Sequence, residues 1–270
     1  MLTVKRIAAA FGLFLGGIAY IWYAGVRAVP AVKRRKAALR AGATRRQRQM
    51  AHRSPPAVRG GIVVRWIALV SGLGLFAFGI VLLLESRLGL SPWDVLSQGI
   101  AKHSPLSFGN ANIASALVVL VVAWRLGARV GPGTVANAIL IGLYLDLFLS
   151  LGVVKRMGHE PLAVRVLELV VGILLIGGAT ALYIGAALGA GPRDSMMLVV
   201  SRRAGMRIGI VRTAIESAVT VGGLALGGKV GIGTLAFAFG IGPAVEASFW
   251  LLARSPASLS SATPSTIEPA

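Results

Sequence analysis

Nine acidic residues occur among 270, and those that fall within or beside apolar segments are where chemistry would be sought first. Asp94 and Asp194 each follow a proline by two positions, in Ser91-Pro92-Trp93-Asp94 and Gly191-Pro192-Arg193-Asp194. Both read as helix starts. Ser91 suits an N-cap, Pro92 the first helical position, and Asp94 completes a capping-box pattern. Gly191 is an acceptable cap in the second copy. About 12 residues follow each proline, too few to cross a bilayer, so each segment reads as a re-entrant or interfacial helix. Broken helices in matching halves point to a binding site; capping alone is the plainer reading of either Asp. Trp93 reads as an interface anchor rather than a ligand platform.

Asp146 and Glu246 lie at the end of a stripe of small residues. Thr134, Ala138 and Gly142 are spaced by four, as are Thr234, Ala238 and Gly242. This spacing lets helix backbones approach closely. One further step of four reaches Asp146 in one copy and Glu246 in the other, near the packed face. A proton or cation site is the functional reading, because intramembrane acids are costly; an acid reaching water at a helix end is the alternative. Glu216 lies one turn after Arg212, a spacing that allows an ion pair. Asn110, Asn112 and Asn137 could bond between helices or line a pathway. Glu85 and Glu168 read as interfacial.

No catalytic constellation and no metal site emerges, and the chain does not read as an enzyme or as a binder of a cofactor. His52, His103 and His159 lie in separate loops without metal-ligand spacing. There is no cysteine, so thiolate ligands, disulfides and Cys nucleophiles are excluded. The Gly-x-Gly-Thr turns at 131–134 and 231–234 lack the Lys and strand context of a phosphate loop and read as helix-joining turns.

The elements that must position these residues are apolar. Hydrophobic residues make up 56% of the chain and charged ones 14%, with mean hydropathy +0.78. Segments of spanning length fall at about 7–26, 63–84, 108–126, 133–152, 165–186, 209–226 and 233–252, and backbone pairing in hydrocarbon requires them to be helices. The implied organisation is a transmembrane helix at 1–26, a basic cytoplasmic linker at 27–62, membrane units at 63–152 and 163–252, and a disordered tail at 253–270. The fold class is all-α, a polytopic transmembrane helix bundle.

The net charge of +19 does not indicate nucleic acid, because no recognition motif or aromatic interleaving accompanies it. Its partner is the lipid bilayer, with anionic headgroups drawn to the linker. With the linker in the cytoplasm and alternating spans, 20 of the 28 Lys and Arg residues fall on the cytoplasmic side. The bias places the N-terminus outside and the C-terminus in the cytoplasm.

The sequence also repeats itself at an offset of 100 residues without a gap. Leu88-Gly89 and Pro92-x-Asp94 match Leu188-Gly189 and Pro192-x-Asp194, and Val130-Gly131 and Gly133-Thr134 match Val230-Gly231 and Gly233-Thr234. Each unit holds three spans. An odd number starts the second copy on the opposite side of the membrane, so two inverted repeats are expected, each with one short re-entrant or interfacial helix.

The motifs at 89–94, 131–138, 189–194 and 231–234 resemble those of the bacterial YczE/YitT-like integral membrane proteins. The resemblance spans about 62–252 and implies a bacterial cytoplasmic membrane location and this architecture, with no established substrate. The repeat, the paired helix breaks and the acids together point to a transporter or permease for a small molecule or ion, along a pathway through Asp94, Asp194, Asp146, Glu246, Asn137, Glu216 and Arg212. The alternative is a membrane scaffold or accessory protein recruiting a cytoplasmic partner.

Overall fold

The computed structural model describes residues 57–58, 61–152, 160–254 and 258–259. The expected helix at 1–26, almost all of the linker at 27–62 and most of the tail at 253–270 lie outside the described residues. Among the described residues there are eight helices: α1 Ile62–Ser86, α2 Pro92–His103, α3 Phe108–Arg125, α4 Pro132–Leu151, α5 Leu162–Gly185, α6 Pro192–Ala204, α7 Ile208–Ala225 and α8 Ile232–Arg254. A two-residue antiparallel pair, Ala57–Val58 with Ser258–Leu259, lies outside the bundle's helices.

Six helices, α1, α3, α4, α5, α7 and α8, are long and apolar enough to cross a membrane. Their bounds agree with the expected segments to within a few residues, because long uncharged runs bounded by Gly, Pro and Arg leave little choice of element. Their outer faces are apolar, with Ile67, Val121, Leu167 and Phe239 all exposed. Such a surface is stable against lipid rather than water. The chain is a multi-pass α-helical membrane protein.

At the centre α1 and α5 lie against each other through small residues. A Cβ on Gly72 would fall 3.0 Å from the Tyr183 nitrogen, and one on Gly79 2.9 Å from the Gly172 carbonyl oxygen. Absent side chains allow this approach, so van der Waals contact between backbones holds the pair. Arginine from each helix closes the end of the other. Arg65 Nε donates to the Ala186 carbonyl at 2.6 Å, and Arg165 Nε donates to the Ser86 carbonyl at 2.8 Å. These carbonyls lie at helix C-termini, which favour cations.

The two halves interlock beyond that pair. The short helix α2 packs on α7, and the short helix α6 packs on α3. Gly133 N donates to the Leu188 carbonyl at 3.0 Å, and Gly233 N donates to the Leu88 carbonyl at 2.8 Å. The Gly-x-Gly-Thr turns are therefore docking points for the other half as well as helix-joining turns. Gly89 and Gly189 hold φ of +140 and +136, a region open to glycine. A Cβ there would fall 2.6 Å from the Thr234 nitrogen and 2.6 Å from Thr134 Oγ1, respectively.

One interface differs between the halves. α3 packs against α4, whereas α7 and α8 form no comparable interface.

Candidate functional site

The starts of α2 and α6 meet at a central cavity of about 190 Å³. Its walls come from corresponding positions 100 residues apart: 91–94 and 191–194, 112 and 212, 116 and 216, and 141 and 241. Local sequence explains the geometry. Each proline sets the first helical turn, and each preceding residue ends an extended segment, Ser91 at ψ 154 and Gly191 at ψ 158. Helix N-termini thus point inward from both halves.

The acids at these starts are held by neutral donors. The Ser91 hydroxyl donates to Asp94 Oδ2, while Asp94 N donates back to Ser91 Oγ at 3.4 Å. Asn112 Nδ2 donates to Asp94 Oδ1 at 3.3 Å. Asp94 is 1% exposed, so capping and cavity lining are both its roles. Across the cavity the Tyr183 hydroxyl donates to Asp194 Oδ2 at 2.9 Å. Arg212 Nε donates to Glu216 Oε1 at 2.8 Å, the ion pair anticipated from their spacing and the only one among the described residues.

Arg193 has a different environment. Its guanidinium carbon lies 5.1 Å from the centroid of the Trp93 ring, within cation–π range. It makes no hydrogen bond among the described residues. Trp93 is 4% exposed and lines the cavity, which corrects its assignment as an interface anchor. The meeting of the two helix starts brings position 93 inside, opposite position 193.

The other anticipated residues divide. Asn137 lines the cavity, and Asn110 is exposed on the surface. Asp146 lies outside the cavity, on the α3–α4 interface: it accepts from the Ser107 hydroxyl and, at 2.8 Å, from Gly109 N. A carboxylate there complements the α3 N-terminus. Glu246 is exposed and, among the described residues, joins neither the cavity nor an ion pair. Thr134, Ala138 and Gly142 are buried, as a packed stripe requires. In the second copy only Thr234 is; Ala238 and Gly242 are exposed because α7 stands away from α8. Glu168, expected at the interface, is 8% exposed, and its carboxylate has no hydrogen-bond partner among the described residues. Tyr183 and Arg193 were missed. Arg193 had a signal, the placement of a cation where the first copy carries Trp93.

Among the described residues no group of His, Asp and Glu could hold a metal ion.

Comparison with known proteins agrees with the class the fold defines. The model of a family of unknown function, DUF6198, matches residues 63–248, and the chain belongs to this family. An uncharacterized protein of Haemophilus influenzae is 38% identical over 190 residues, covering 70% of this chain and 84% of its own. The uncharacterized membrane protein YczE of Bacillus subtilis is 32% identical over 176 residues, covering 64% of this chain and 80% of its own. The uncharacterized protein YyaS of Bacillus subtilis is 29% identical over 167 residues, covering 61% and 82%. No solved structure matches the chain.

Proposed function

We propose that the protein is a permease of the bacterial cytoplasmic membrane that carries a small organic cation through the central cavity. One observation carries the reading: a charged cavity, walled by matching positions of both halves, lies where two short helices begin inside a bundle of apolar spans. Solute sites of this kind form at repeat interfaces in transporters. The reciprocal bonds of Gly133 with Leu188 and of Gly233 with Leu88 support a two-fold relation between the halves. Three candidate spans in each half, an odd number, favour an inverted sense for that relation.

The charge balance favours a cationic group. Asp94, Asp194 and Glu216 face Arg193 and Arg212 in the wall, an excess of one negative charge with every group ionised. Helix N-termini attract anions, but here Asp94 and Asp194 occupy that role themselves. A solute ammonium would restore neutrality, and aromatic faces from Phe76, Trp93 and Tyr183 suit such a group.

Thermal denaturation of the detergent-purified protein against primary amines, quaternary ammonium ions, amino acids and carboxylates tests this, since a bound ligand stabilises the fold by mass action. Stabilisation by cations, lost in Asp94→Asn and Asp194→Asn, is expected, followed by uptake of the same compound into proteoliposomes. Stabilisation by carboxylates alone would reject the cation. No uptake of any class would leave the scaffold reading in its place.

A further inference from the structure

The interface between α3 and α4 is closed, and its counterpart between α7 and α8 is open. In the first half Asp146 bonds the Ser107 hydroxyl and the Gly109 amide. Gly109 and Gly142 are buried against each other: a Cβ on Gly109 would meet the Gly142 carbonyl, and one on Gly142 would meet Ile113. In the second half Gly209 and Gly242 are exposed, and a Cβ on either would meet nothing within 4 Å. The residues standing where Ser107 and Asp146 stand are Arg207 and Glu246, of opposite charge and both exposed. Neither side chain has a hydrogen-bond or ion-pair partner among the described residues. The α7 N-terminus has no side-chain cap.

We infer that Arg207 and Glu246 are a latch: they pair when α8 closes on α7, while the Ser107–Asp146 contact opens. Glycine in a helix costs about 1 kcal/mol relative to alanine, and at 209 and 242 the open arrangement takes no packing advantage from it. Closing α7 on α8 as α3 closes on α4 would use both. Glu246 would then reach the uncapped α7 N-terminus as Asp146 reaches that of α3, with the Arg207 guanidinium adding charge-assisted bonds. The moving helix carries Pro243 in its interior, which removes one backbone hydrogen bond and lets the helix bend there. Because α7 packs on α2 and α3 on α6, closing one flank shifts the short helix at the cavity and disturbs the other flank. The purpose of the latch rests on the permease reading above, with the cavity facing one side of the membrane and then the other.

Disulfide formation tests the latch without any solute. Thr213 and Gly242 correspond to Ile113 and Gly142, which touch in the closed flank. The chain has no native cysteine, so the pair Thr213→Cys with Gly242→Cys reports closure of the second flank. Adding Asp146→Ala should raise the rate of disulfide formation in membranes about tenfold, because it removes the charge-assisted contact that favours the other state. Arg207→Ala or Glu246→Ala should lower it, and the exchange Arg207→Glu with Glu246→Arg should restore it. A second measurement guards against a folding defect. Val245→Cys lines the cavity beside the open flank, and its labelling by an impermeant maleimide should fall in the Asp146→Ala background. A disulfide that never forms, or labelling and disulfide rates equal in all backgrounds, overturns the latch. Uptake of a solute with a disulfide insensitive to these substitutions rejects the latch and keeps the permease. A working switch with no solute bound or carried does the reverse.

Discussion

The Arg193 guanidinium stacks over the Trp93 ring at 5.1 Å, and the two residues occupy the same position in the two copies of one motif. An arginine inside a membrane bundle is expensive unless something meets it. Here the aromatic face, Asp94 and Asp194 share that task. Replacing Trp93 with Ala should destabilise the protein by about 3–5 kcal/mol, the range for a buried aromatic truncation. Trp93→Phe keeps a ring under the guanidinium and should lose much less. Thermal unfolding in detergent measures both. Equal losses would mean that Trp93 contributes bulk rather than a face.

Arg65 and Arg165 should be structural rather than part of the pathway. Each donates to a carbonyl at the C-terminal end of the partner half's first helix. Hydrogen bonds from a charged donor contribute about 1.5–3 kcal/mol. Arg65→Ala and Arg165→Ala should therefore each lower stability by about that amount, and Lys should rescue poorly because its ammonium lacks the planar fork. Ligand affinity per folded molecule should not change.

Gly142 and Gly242 should respond differently to the same substitution. A side chain at 142 enters Ile113 and the Gly109 carbonyl, whereas none meets an atom at 242. Gly142→Leu should cost about 1–3 kcal/mol or more through overpacking, with a low folded yield. Gly242→Leu should fold normally and, by blocking closure of α7 on α8, remove the effect of Asp146→Ala on Val245→Cys labelling. Equal folded yields for the two variants would refute the asymmetry of the halves.

The spans were legible because a bilayer imposes one solution on a long uncharged run, and this chain has six among its described residues. The Pro-x-Asp starts were legible because capping is local: Ser91, Pro92 and Asp94 lie within one turn. What the second copy of the small-residue stripe does was not. Ala238 and Gly242 have the spacing of a packed stripe, but spacing gives a face and not the distance to a neighbour. The same limit hid Tyr183 and Arg193, whose positions in the cavity follow from how α5 and α6 cross the other half.

The proposed inverted relation of the halves has a direct test in the loops after the short helices. Leu96 and Met196, within the short helices themselves, are 5% and 0% exposed and out of reach of a labelling reagent. Leu106 and Met206 also correspond at the offset of 100 and are 39% and 37% exposed. Each lies just before the second spanning helix of its half, α3 or α7, so each marks the face from which that helix enters. If the halves are inverted, three spans per half put these faces on opposite sides of the membrane. A single cysteine at 106 should react with an impermeant maleimide from outside intact cells. One at 206 should react only after permeabilisation, because Arg202, Arg203, Arg207 and Arg212 surround that loop and basic loops stay cytoplasmic. Labelling of both from one side would abolish the inverted repeat, and with it the symmetry argument for alternating closure of the two flanks.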